Sequence, residues 1–397
     1  MTRSSGVRSR VLAVAAAALV IVVGCRPPFA GRAESLAPGE SAAPSETVYA
    51  TDAPPPAFAL KPATATNIEV RLFRAQGPSD APLQYAQALD SYREVNLITD
   101  LVEPIAGYDV FAVVPIAGTV TAWIGTVADV AAEPDGLDLV AVGEMSGRDP
   151  TVVVRRAADK SKPIGALRGP VLADTSGAAA SVRASLVAAG VTAVPKVVLP
   201  DDPSAPFDPT PLFDGTAKSA AVSVFDGWPR IEEALAANGD NPAAWSSTPV
   251  GPPDTALLGD LIWVRAADFA DPDGRAAINA FVGVVAQSQI ACRDAVEDCA
   301  GSLATQSDRT AEGLAWSIDQ VDRILFPAPD GIVHIDPAAW ARTIAAMGTA
   351  GVSGTSRLIF TNDAVDAVTK AFGTAIDLTG KDWTPPPTTP LPPDAAQ

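Results

Sequence analysis

Residues 171–199 have the sequence VLADTSGAAASVRASLVAAGVTAVPKVVL, and this stretch decides the expected fold. A short apolar run, Val171–Ala173, leads into a polar turn that begins a helix. One face of that helix carries three apolar residues at helical spacing: Val182, Leu186 and Ala189. Gly190 ends the helix, and Val197–Leu199 forms a second apolar run. The order strand, turn, helix, strand predicts an α/β fold with mostly parallel sheets.

The same unit recurs on both sides of this stretch. Ile68–Phe73 alternates apolar and polar residues, and the turn Gly77–Asp80 then leads to a helix over Tyr85–Val95. Four more segments have the composition of buried strands: 108–115, 137–142, 151–155 and 221–225. From about residue 271 the pattern becomes helical. We therefore expect two sheets flanked by helices.

Charge and composition exclude several classes of function. The 397 residues include 28 basic and 46 acidic ones, for a formal net charge of −18. A nucleic-acid-binding protein needs a basic surface, so we expect no nucleic-acid partner. One histidine, His334, and three cysteines exclude a His-rich metal centre and a four-cysteine zinc site. We expect no metal and no cofactor.

The N-terminal segment has the features of an export signal. Three arginines precede Val11–Gly24, a small-apolar run that is shorter than the roughly 20 residues needed to span a bilayer. The run ends in Val-Val-Gly-Cys, which resembles a bacterial lipobox with Cys25 as the lipidated residue. This predicts a lipoprotein signal peptide over 1–24 and a protein anchored to the extracytoplasmic face of the cell membrane. An ordinary secretory signal and an uncleaved anchor are the alternatives.

Composition also separates linkers from the folded body. Residues 25–66 are rich in Pro, Ala and Ser and have no apolar period, which predicts an extended tether. Residues 384–397 form a second proline-rich segment, for which we expect disorder. Between them, we expect a first part of lobe 1 over 67–150, lobe 2 over 151–247, and a return to lobe 1 with C-terminal helices over 248–383.

Known catalytic motifs do not occur in this sequence. Gly351-Val352-Ser353-Gly354 lacks the spacing of a nucleophile elbow, and Gly380-Lys381-Asp382 lacks the residues of a P-loop. Asp271-Pro272-Asp273-Gly274 has its glycine at the wrong position for a calcium loop and fits a helix N-terminus better. His334 has no nucleophile beside it in the sequence. We therefore expect no catalytic residues and no enzyme activity.

Cys292 and Cys299 are separated by six residues. Export places them in an oxidising compartment, which favours a disulfide that closes a short loop at a helix end. Two buried thiols are the alternative. A redox-active pair needs the spacing C-x-x-C, which is absent here.

Several strings together resemble the extracytoplasmic solute-binding proteins of ABC importers, specifically the nitrate, sulfonate and thiamine-precursor family. In order, they lie at 85–95, 108–115, 164–171, 175–190, 225–229, 292–299, 316–327 and 331–332. The resemblance covers about residues 67–384. An acidic, proline-rich segment over 200–215 departs from the family pattern, and this departure leaves the ligand class open.

The resemblance implies the type 2 fold of periplasmic binding proteins, with two α/β lobes that close on a small-molecule ligand about a hinge. It also implies a monomer that delivers the ligand to an ABC permease. Ligands of open α/β sheets bind beyond the carboxyl ends of the strands, where helix N-termini present free N–H groups.

Four loops follow predicted strands: 77–80, 115–119, 174–177 and 225–228. They supply the candidate ligand-binding residues Ser79, Asp80, Gly118, Thr119, Thr175, Ser176, Asp226 and Trp228. The hydroxyl groups can donate to a polar ligand, and Trp228 can stack on a ring. Ser79 and Ser176 are equally well interpreted as helix N-caps, and Trp228 as a core residue. Acids in two of the loops favour a cationic or heterocyclic ligand over a highly charged anion.

Three classes of function remain. The leading hypothesis is a lipid-anchored solute receptor for a sulfonate, nitrate or a heterocyclic, thiamine-precursor-like molecule. An accessory lipoprotein that has this fold but no transport ligand is the second. A thiamine-pyrimidine-synthase-like enzyme is the third, although the single histidine and seven lysines disfavour it.

Overall fold

The computed structural model describes residues 60–387, apart from 106–108, 113–115, 117, 132–136, 203–204, 252–255 and 306. The predicted signal peptide, Cys25, the tether up to residue 59 and the tail from residue 388 lie outside the described residues. Among the helices that are described, none has both the length and the apolar character required to cross a membrane.

The described residues form eleven strands in two sheets. In chain order the strands are β1 (Thr66–Leu72), β2 (Leu97–Val102), β3 (Thr119–Gly125), β4 (Leu139–Glu144), β5 (Thr151–Arg156), β6 (Val171–Ala173), β7 (Val197–Val198), β8 (Ser219–Ser223), β9 (Trp245–Pro249), β10 (Leu261–Arg265) and β11 (Ile359–Phe360). The alternation predicted near residue 68 is observed in β1, where Ile68, Val70 and Leu72 are buried.

Twelve α-helices flank the sheets in the same described part. They are α1 (Ala81–Ala88), α2 (Ser91–Glu94), α3 (Val127–Ala131), α4 (Ser176–Ala188), α5 (Thr210–Phe213), α6 (Gly227–Ala237), α7 (Ala266–Ala270), α8 (Pro272–Asp294), α9 (Val296–Ala304), α10 (Ala311–Leu325), α11 (Pro337–Thr349) and α12 (Asp363–Phe372). The helix expected after Asp271 is α8, and Asp271 caps it by accepting a hydrogen bond of 2.8 Å from the Gly274 N–H.

Each sheet is parallel except for one described strand. The first sheet has the strand order β11–β4–β10–β3–β1–β2, and the second has the order β7–β6–β8–β5–β9. Only β10 in the first sheet and β5 in the second run against their described neighbours. Each of these is the first strand after the chain has crossed from the other sheet. We call the first sheet with its helices lobe 1, and the second sheet with α4, α5 and α6 lobe 2.

The two segments that connect the lobes are hydrogen-bonded to each other. In the first, Met145 N donates to the Asp260 carbonyl over 2.7 Å, and Asp149 N donates to the Leu257 carbonyl over 2.8 Å. In return, Asp260 N donates to the Ser146 hydroxyl over 2.7 Å. The connections therefore form one paired band between the lobes.

Each lobe has its own buried core. In lobe 1, Phe281 of α8 lies against Tyr92, with ring centroids 6.1 Å apart, beside the β1 side chains. The other face of this sheet packs Trp123 and Trp263 against α11. In lobe 2, Val222 of β8 packs against α6.

The expected helix over Tyr85–Val95 is interrupted. The chain forms α1 and α2 instead, because Asp90 between them has a left-handed backbone with φ of 60°. Leu89 at this break is 50% exposed, whereas Tyr92 in α2 is buried.

The expected strand over 108–115 is not formed in its described part, where residues 109–112 make a turn. The Val110 carbonyl accepts hydrogen bonds from Arg71 Nη1 over 3.1 Å and from Trp123 Nε1 over 3.2 Å. Side chains thus bind the backbone carbonyl that a sheet neighbour would otherwise bind. The strand of this region is β3, which begins later in the sequence.

Cys292 and Cys299 form the predicted disulfide, with their Cα atoms 5.1 Å apart. The bond joins the end of α8 to α9. Both residues are buried in a small cluster with Ala81, Leu314 and Ile318. The bond therefore links two helices of lobe 1 covalently inside their shared core.

Candidate functional site

A cavity of about 160 Å³ lies between the two lobes, which we call the inner cavity. It is lined from lobe 1 by residues that directly follow β1 and β3, and from lobe 2 by residues that follow β6 and β8. The first connecting segment contributes Asp149, and the second contributes Asp260. The carboxyl ends of strands from both sheets therefore meet at one cavity.

Arg74 lies at the lobe 1 side of this space, two residues after the end of β1. Its guanidinium forms ion pairs with Asp80 and, over 2.6 Å, with Asp260. It also donates to the Ser79 hydroxyl over 2.6 Å. Asp80 accepts a further hydrogen bond of 2.9 Å from the Gly77 N–H. The predicted site residues Ser79 and Asp80 are thus buried partners of Arg74 and position its side chain.

The N-terminus of α4 brings two predicted site residues to the inner cavity. Thr175 is the N-cap, and its hydroxyl accepts a hydrogen bond of 3.1 Å from the Ala178 N–H. Ser176 is therefore not the cap. Its hydroxyl donates instead to Asp129 of α3, so it joins lobe 2 to lobe 1. Both residues line the cavity.

Asp174 directly follows β6 and presents a carboxylate to the cavity. Its Oδ2 accepts a hydrogen bond of 2.6 Å from the Ser223 N–H. Its Oδ1 is buried and has no hydrogen-bond partner. Burial, together with the nearby charge of Asp226, raises the pKa of Asp174 to about 7. Asp174 therefore titrates close to neutral pH.

Two further carboxylates line the inner cavity. Asp129 accepts hydrogen bonds from the Thr126 N–H over 2.8 Å and from the Thr126 hydroxyl over 2.7 Å. Asp149 accepts from the Thr151 N–H over 2.9 Å and from the Thr151 hydroxyl over 2.5 Å. Burial raises the pKa of both aspartates above its usual value. The cavity thus has an acidic wall.

A second cavity of about 230 Å³ shares Arg74, Asp174 and Thr175 with the inner one, and we call it the outer cavity. Asp226, a predicted site residue, lines it and pairs with Arg230 over 3.2 Å. Phe207 also lines it, so part of the acidic, proline-rich segment over 200–215 reaches the cleft.

Ion pairs join the lobes beside the outer cavity. Arg230 of α6 donates to both carboxylate oxygens of Asp308 in lobe 1, over 3.0 and 3.1 Å. Arg309 of lobe 1 pairs with Glu233 of α6 over 3.0 Å. With the Ser176–Asp129 hydrogen bond on the other side, these contacts hold the lobes together around both cavities.

Four predicted site residues line neither cavity: Asp80, which pairs with Arg74, and Gly118, Thr119 and Trp228. Gly118 and Thr119 are at the amino end of β3, because Thr119 pairs with Asn67 at the start of β1. Their placement after a strand was wrong, since it depended on a strand over 108–115. Trp228 packs against the lobe 2 core and lines neither cavity. Of its two interpretations, the structure favours the core residue.

Five charged residues of the inner cavity are not among those predicted from the sequence: Arg74, Asp129, Asp149, Asp174 and Asp260. Two of them carried a usable signal, because Arg74 and Asp174 follow predicted strands almost directly. Asp149 and Asp260 belong to the connecting segments, where no local pattern shows which side chains face the cleft.

The described residues form no metal site, and their single histidine lies outside both cavities. No three His, Cys, Asp or Glu residues there are placed to hold a metal ion. His334 lies 3.2 Å from the Asn362 amide nitrogen and does not line either cavity. The described cavity linings include no histidine, cysteine or lysine.

Known structures share this architecture. A protein from Bordetella bronchiseptica RB50 superposes with a TM-score of 0.56 at 13% identity, over 77% of this chain and 98% of its own. The periplasmic aliphatic sulphonate binding protein SsuA from Escherichia coli gives a TM-score of 0.51 at 16% identity, over 71% and 85%. The alkanesulfonate-binding protein SsuA from Xanthomonas axonopodis pv. citri, bound to MOPS, gives 0.47 at 13%, over 76% and 99%.

The fold is therefore the periplasmic-binding-protein fold, with two lobes and two sheets flanked by helices. No protein-family model matches the sequence. No curated protein matches it either. The site itself, rather than a relative, must then indicate the function.

Proposed function

We propose that this chain is the extracytoplasmic solute receptor of an ABC importer, which captures a small organic molecule between its lobes and delivers it to a permease. The observation that carries this proposal is the inner cavity at the carboxyl ends of strands from both sheets. Open α/β sheets bind ligands at this edge. Its volume of about 160 Å³ compares with the roughly 150 Å³ cavity that accommodates benzene in another protein.

The connections between the lobes support a mechanism of hinge closure. Two short segments link the sheets, and interlobe contacts lie on both sides of the cavities. Rigid lobes on such a connection close by changes in a few backbone dihedral angles. A bound solute would stabilise the closed form by touching both lobes.

The lipid anchor is part of the proposal. Lipidated Cys25 would hold a monomeric receptor at the outer face of the cell membrane, with the segment to residue 66 as its tether. Membrane fractionation tests the anchor: the parent protein should sediment with membranes, and a Cys25→Ala variant should not. Equal sedimentation of the two proteins would contradict lipidation at this residue.

Two alternatives explain the cavity less well. An accessory protein without a ligand would be expected to fill the cleft with large side chains, and the cleft here is open. An enzyme would need a nucleophile or base with a positioned partner. The described linings of the inner and outer cavities contain no histidine, cysteine or lysine; their titratable side chains are carboxylates and arginines, which can bind a solute directly.

A thermal-shift screen of the purified full chain tests the receptor function. The panel contains sulfonates, nitrate, pyrimidines, other amino-heterocycles and aromatic acids. A ligand at about 100 times its Kd should stabilise the protein by about 2.7 kcal/mol, a shift of a few degrees. No shift across the panel, with no co-purified ligand in native mass spectrometry, would favour the accessory protein.

A matched pair of variants places any ligand found by this screen. Ser176→Ala removes a hydroxyl that lines the inner cavity and joins the lobes, and should weaken binding. Ser185→Ala changes the same helix outside that cavity and should leave binding unchanged. Equal affinities of the two variants would place the ligand elsewhere.

A further inference from the structure

We propose that the solute is an organic cation about the size of one substituted ring, held by the carboxylates of the inner cavity. This proposal rests on the receptor function above and names the class of solute. It departs from the sulfonates that two structural neighbours are described as binding.

The charges that line the inner cavity do not balance. Four aspartates face one arginine there: Asp129, Asp149, Asp174, Asp260 and Arg74. Arg74 already pairs with Asp260 and with Asp80 behind it, so its charge is neutralised. An anionic solute would therefore meet no unpaired positive side chain in the described lining.

The three other aspartates have only neutral partners in the described structure. Asp129 accepts from Thr126 and Ser176, and Asp149 accepts from Thr151. Asp174 accepts from the Ser223 N–H. Buried carboxylates are costly to ionise without a counter-charge, and a cation that enters the cavity supplies one.

An unpartnered oxygen points to a ligand independently of the acidic character. Asp174 belongs to the cavity lining, and its Oδ1 is buried within the structure and has no hydrogen-bond partner. Such a group is expensive to leave unsatisfied, and nearly all buried polar atoms in folded proteins are paired. An N–H donor of a bound cation would satisfy it.

The shape and remaining walls of the cavity select a small organic molecule. Phe73 and Phe225 line it, together with Leu199 and Pro200. Aromatic walls attract organic cations through cation–π interactions. The carboxylates come from separate elements and do not converge into a metal-binding group among the described residues. A planar amidinium or amino-heterocycle can contact a carboxylate and an aromatic ring together.

Three isosteric probes test the charge preference. Benzamidinium, benzamide and benzoate have the same ring and nearly the same shape but charges of plus one, zero and minus one. Isothermal titration calorimetry on the full chain at pH 8, where Asp174 is ionised, compares their affinities. Benzamidinium should bind about tenfold more tightly than benzamide, because charge-assisted hydrogen bonds are about twice as strong as neutral ones. Benzoate should bind most weakly.

A substitution at Asp174 identifies the group that recognises the charge. Asp174→Asn keeps an oxygen acceptor for the Ser223 N–H and should fold, which its thermal melting curve checks. It should weaken benzamidinium binding by about tenfold to a hundredfold and leave benzamide unchanged. Asp240→Asn, at an exposed position of the same lobe, is the matched control and should have no effect.

The outcomes separate the two proposals. Benzamidinium and benzamide of equal affinity, or benzoate binding more tightly, would overturn the cation and keep the receptor. A neutral or anionic member of the earlier panel that binds while no cation does would have the same meaning. Stabilisation by Mg²⁺ or Zn²⁺ alone, lost in Asp174→Asn, would indicate a metal instead. No binding by any probe or panel member would overturn both proposals.

Discussion

Arg74 and Asp174 follow strands of different lobes and face the same cavity, yet their surroundings differ. Arg74 is bound by two carboxylates and a hydroxyl, and so has little capacity left for a ligand. Asp174 has one oxygen that accepts a hydrogen bond and one that is buried without a partner. The inner cavity thus combines a guanidinium, Arg74, whose charge is neutralised, with a carboxylate, Asp174, that has one unpartnered oxygen.

The pH dependence of stability tests the environment of Asp174. Burial raises the pKa of Asp174 most, the Ser223 N–H and the charge of Arg74 lower it, and the charge of Asp226 raises it, which together give a pKa of about 7. The folded state therefore binds this proton more tightly than the unfolded chain, so the carboxylate lowers stability as pH rises from about 4 to 7. Asp174→Asn removes this effect. Its melting temperature should match the parent near pH 4.5 and exceed it by a few degrees at pH 8.

The control for this experiment is Asp240→Asn, which changes an exposed carboxylate. Its difference from the parent should stay constant with pH. If the Asp174→Asn difference also stays constant between pH 4.5 and 8, the assigned pKa of Asp174 is wrong.

Gly227 lets α6 begin close to Asp174. A Cβ atom there would lie 2.6 Å from Asp174 Oδ2 and 2.6 Å from Val222 Cβ. Gly227→Ala should therefore destabilise the protein by about 1–3 kcal/mol, as overpacking does. Gly301→Ala in α9 has open space around the new methyl group and should stabilise by about 0.5–1 kcal/mol. Urea unfolding measures both, and a harmless Gly227→Ala would contradict the tight packing.

Strands and helices that depend on neighbouring residues were predicted correctly from the sequence. Those that depend on contacts between distant residues were not. The alternation in β1 and the cap of α8 are set by neighbouring residues and are observed. In the segment wrongly predicted as a strand, the Val110 carbonyl is bound by the side chains of Arg71 and Trp123, which lie 39 and 13 residues away in the sequence. Asp90 breaks a helix whose composition is otherwise favourable. Contacts between distant residues leave no signal in a local window.

The same reasoning explains how much of the site was predictable. Thr175, Ser176 and Asp226 follow correctly predicted strands and line the cavities. Gly118 and Thr119 were assigned to the site because they follow a predicted strand that is not formed. They lie instead at the amino end of β3, opposite the carboxyl ends that line the cavity. The remaining acids come together only when two sheets meet, which a single segment cannot show.

The disulfide between α8 and α9 can be tested directly. The bond between Cys292 and Cys299 joins α8 to α9 inside a buried cluster. A Cys292→Ser, Cys299→Ser double variant should lose about 2 kcal/mol of stability in urea unfolding, because the short loop is no longer closed in the unfolded chain. Titration of the denatured, unreduced parent should find neither thiol reactive. Two reactive thiols would contradict the bond.

The connecting segments and the ion pairs between the lobes both affect one motion, the opening and closing of the two lobes. The connecting segments pair with each other and form the hinge that we propose between the lobes. Arg230–Asp308 and Arg309–Glu233 join the lobes beside the outer cavity. Because Arg309 and Glu233 are only 2% and 9% exposed, solvent screens this pair less than a surface ion pair. We therefore expect it to contribute most to closure.

Glu233→Gln tests that role. Gln retains an acceptor for Arg309 but loses the charge, while Arg309 keeps its hydrogen bonds to Ser317 and the Gly313 carbonyl inside lobe 1. The substitution should weaken the contact between the lobes more than it weakens either lobe. Amides at the start of α6 and around Arg309 should therefore exchange hydrogen about tenfold faster, as measured by mass spectrometry. Glu232→Gln is the matched control, since no ion pair joins it to lobe 1 among the described residues. Faster exchange throughout lobe 2 would instead show that Glu233 stabilises lobe 2 itself. Unchanged exchange would show that the Arg309–Glu233 pair does not hold the lobes closed.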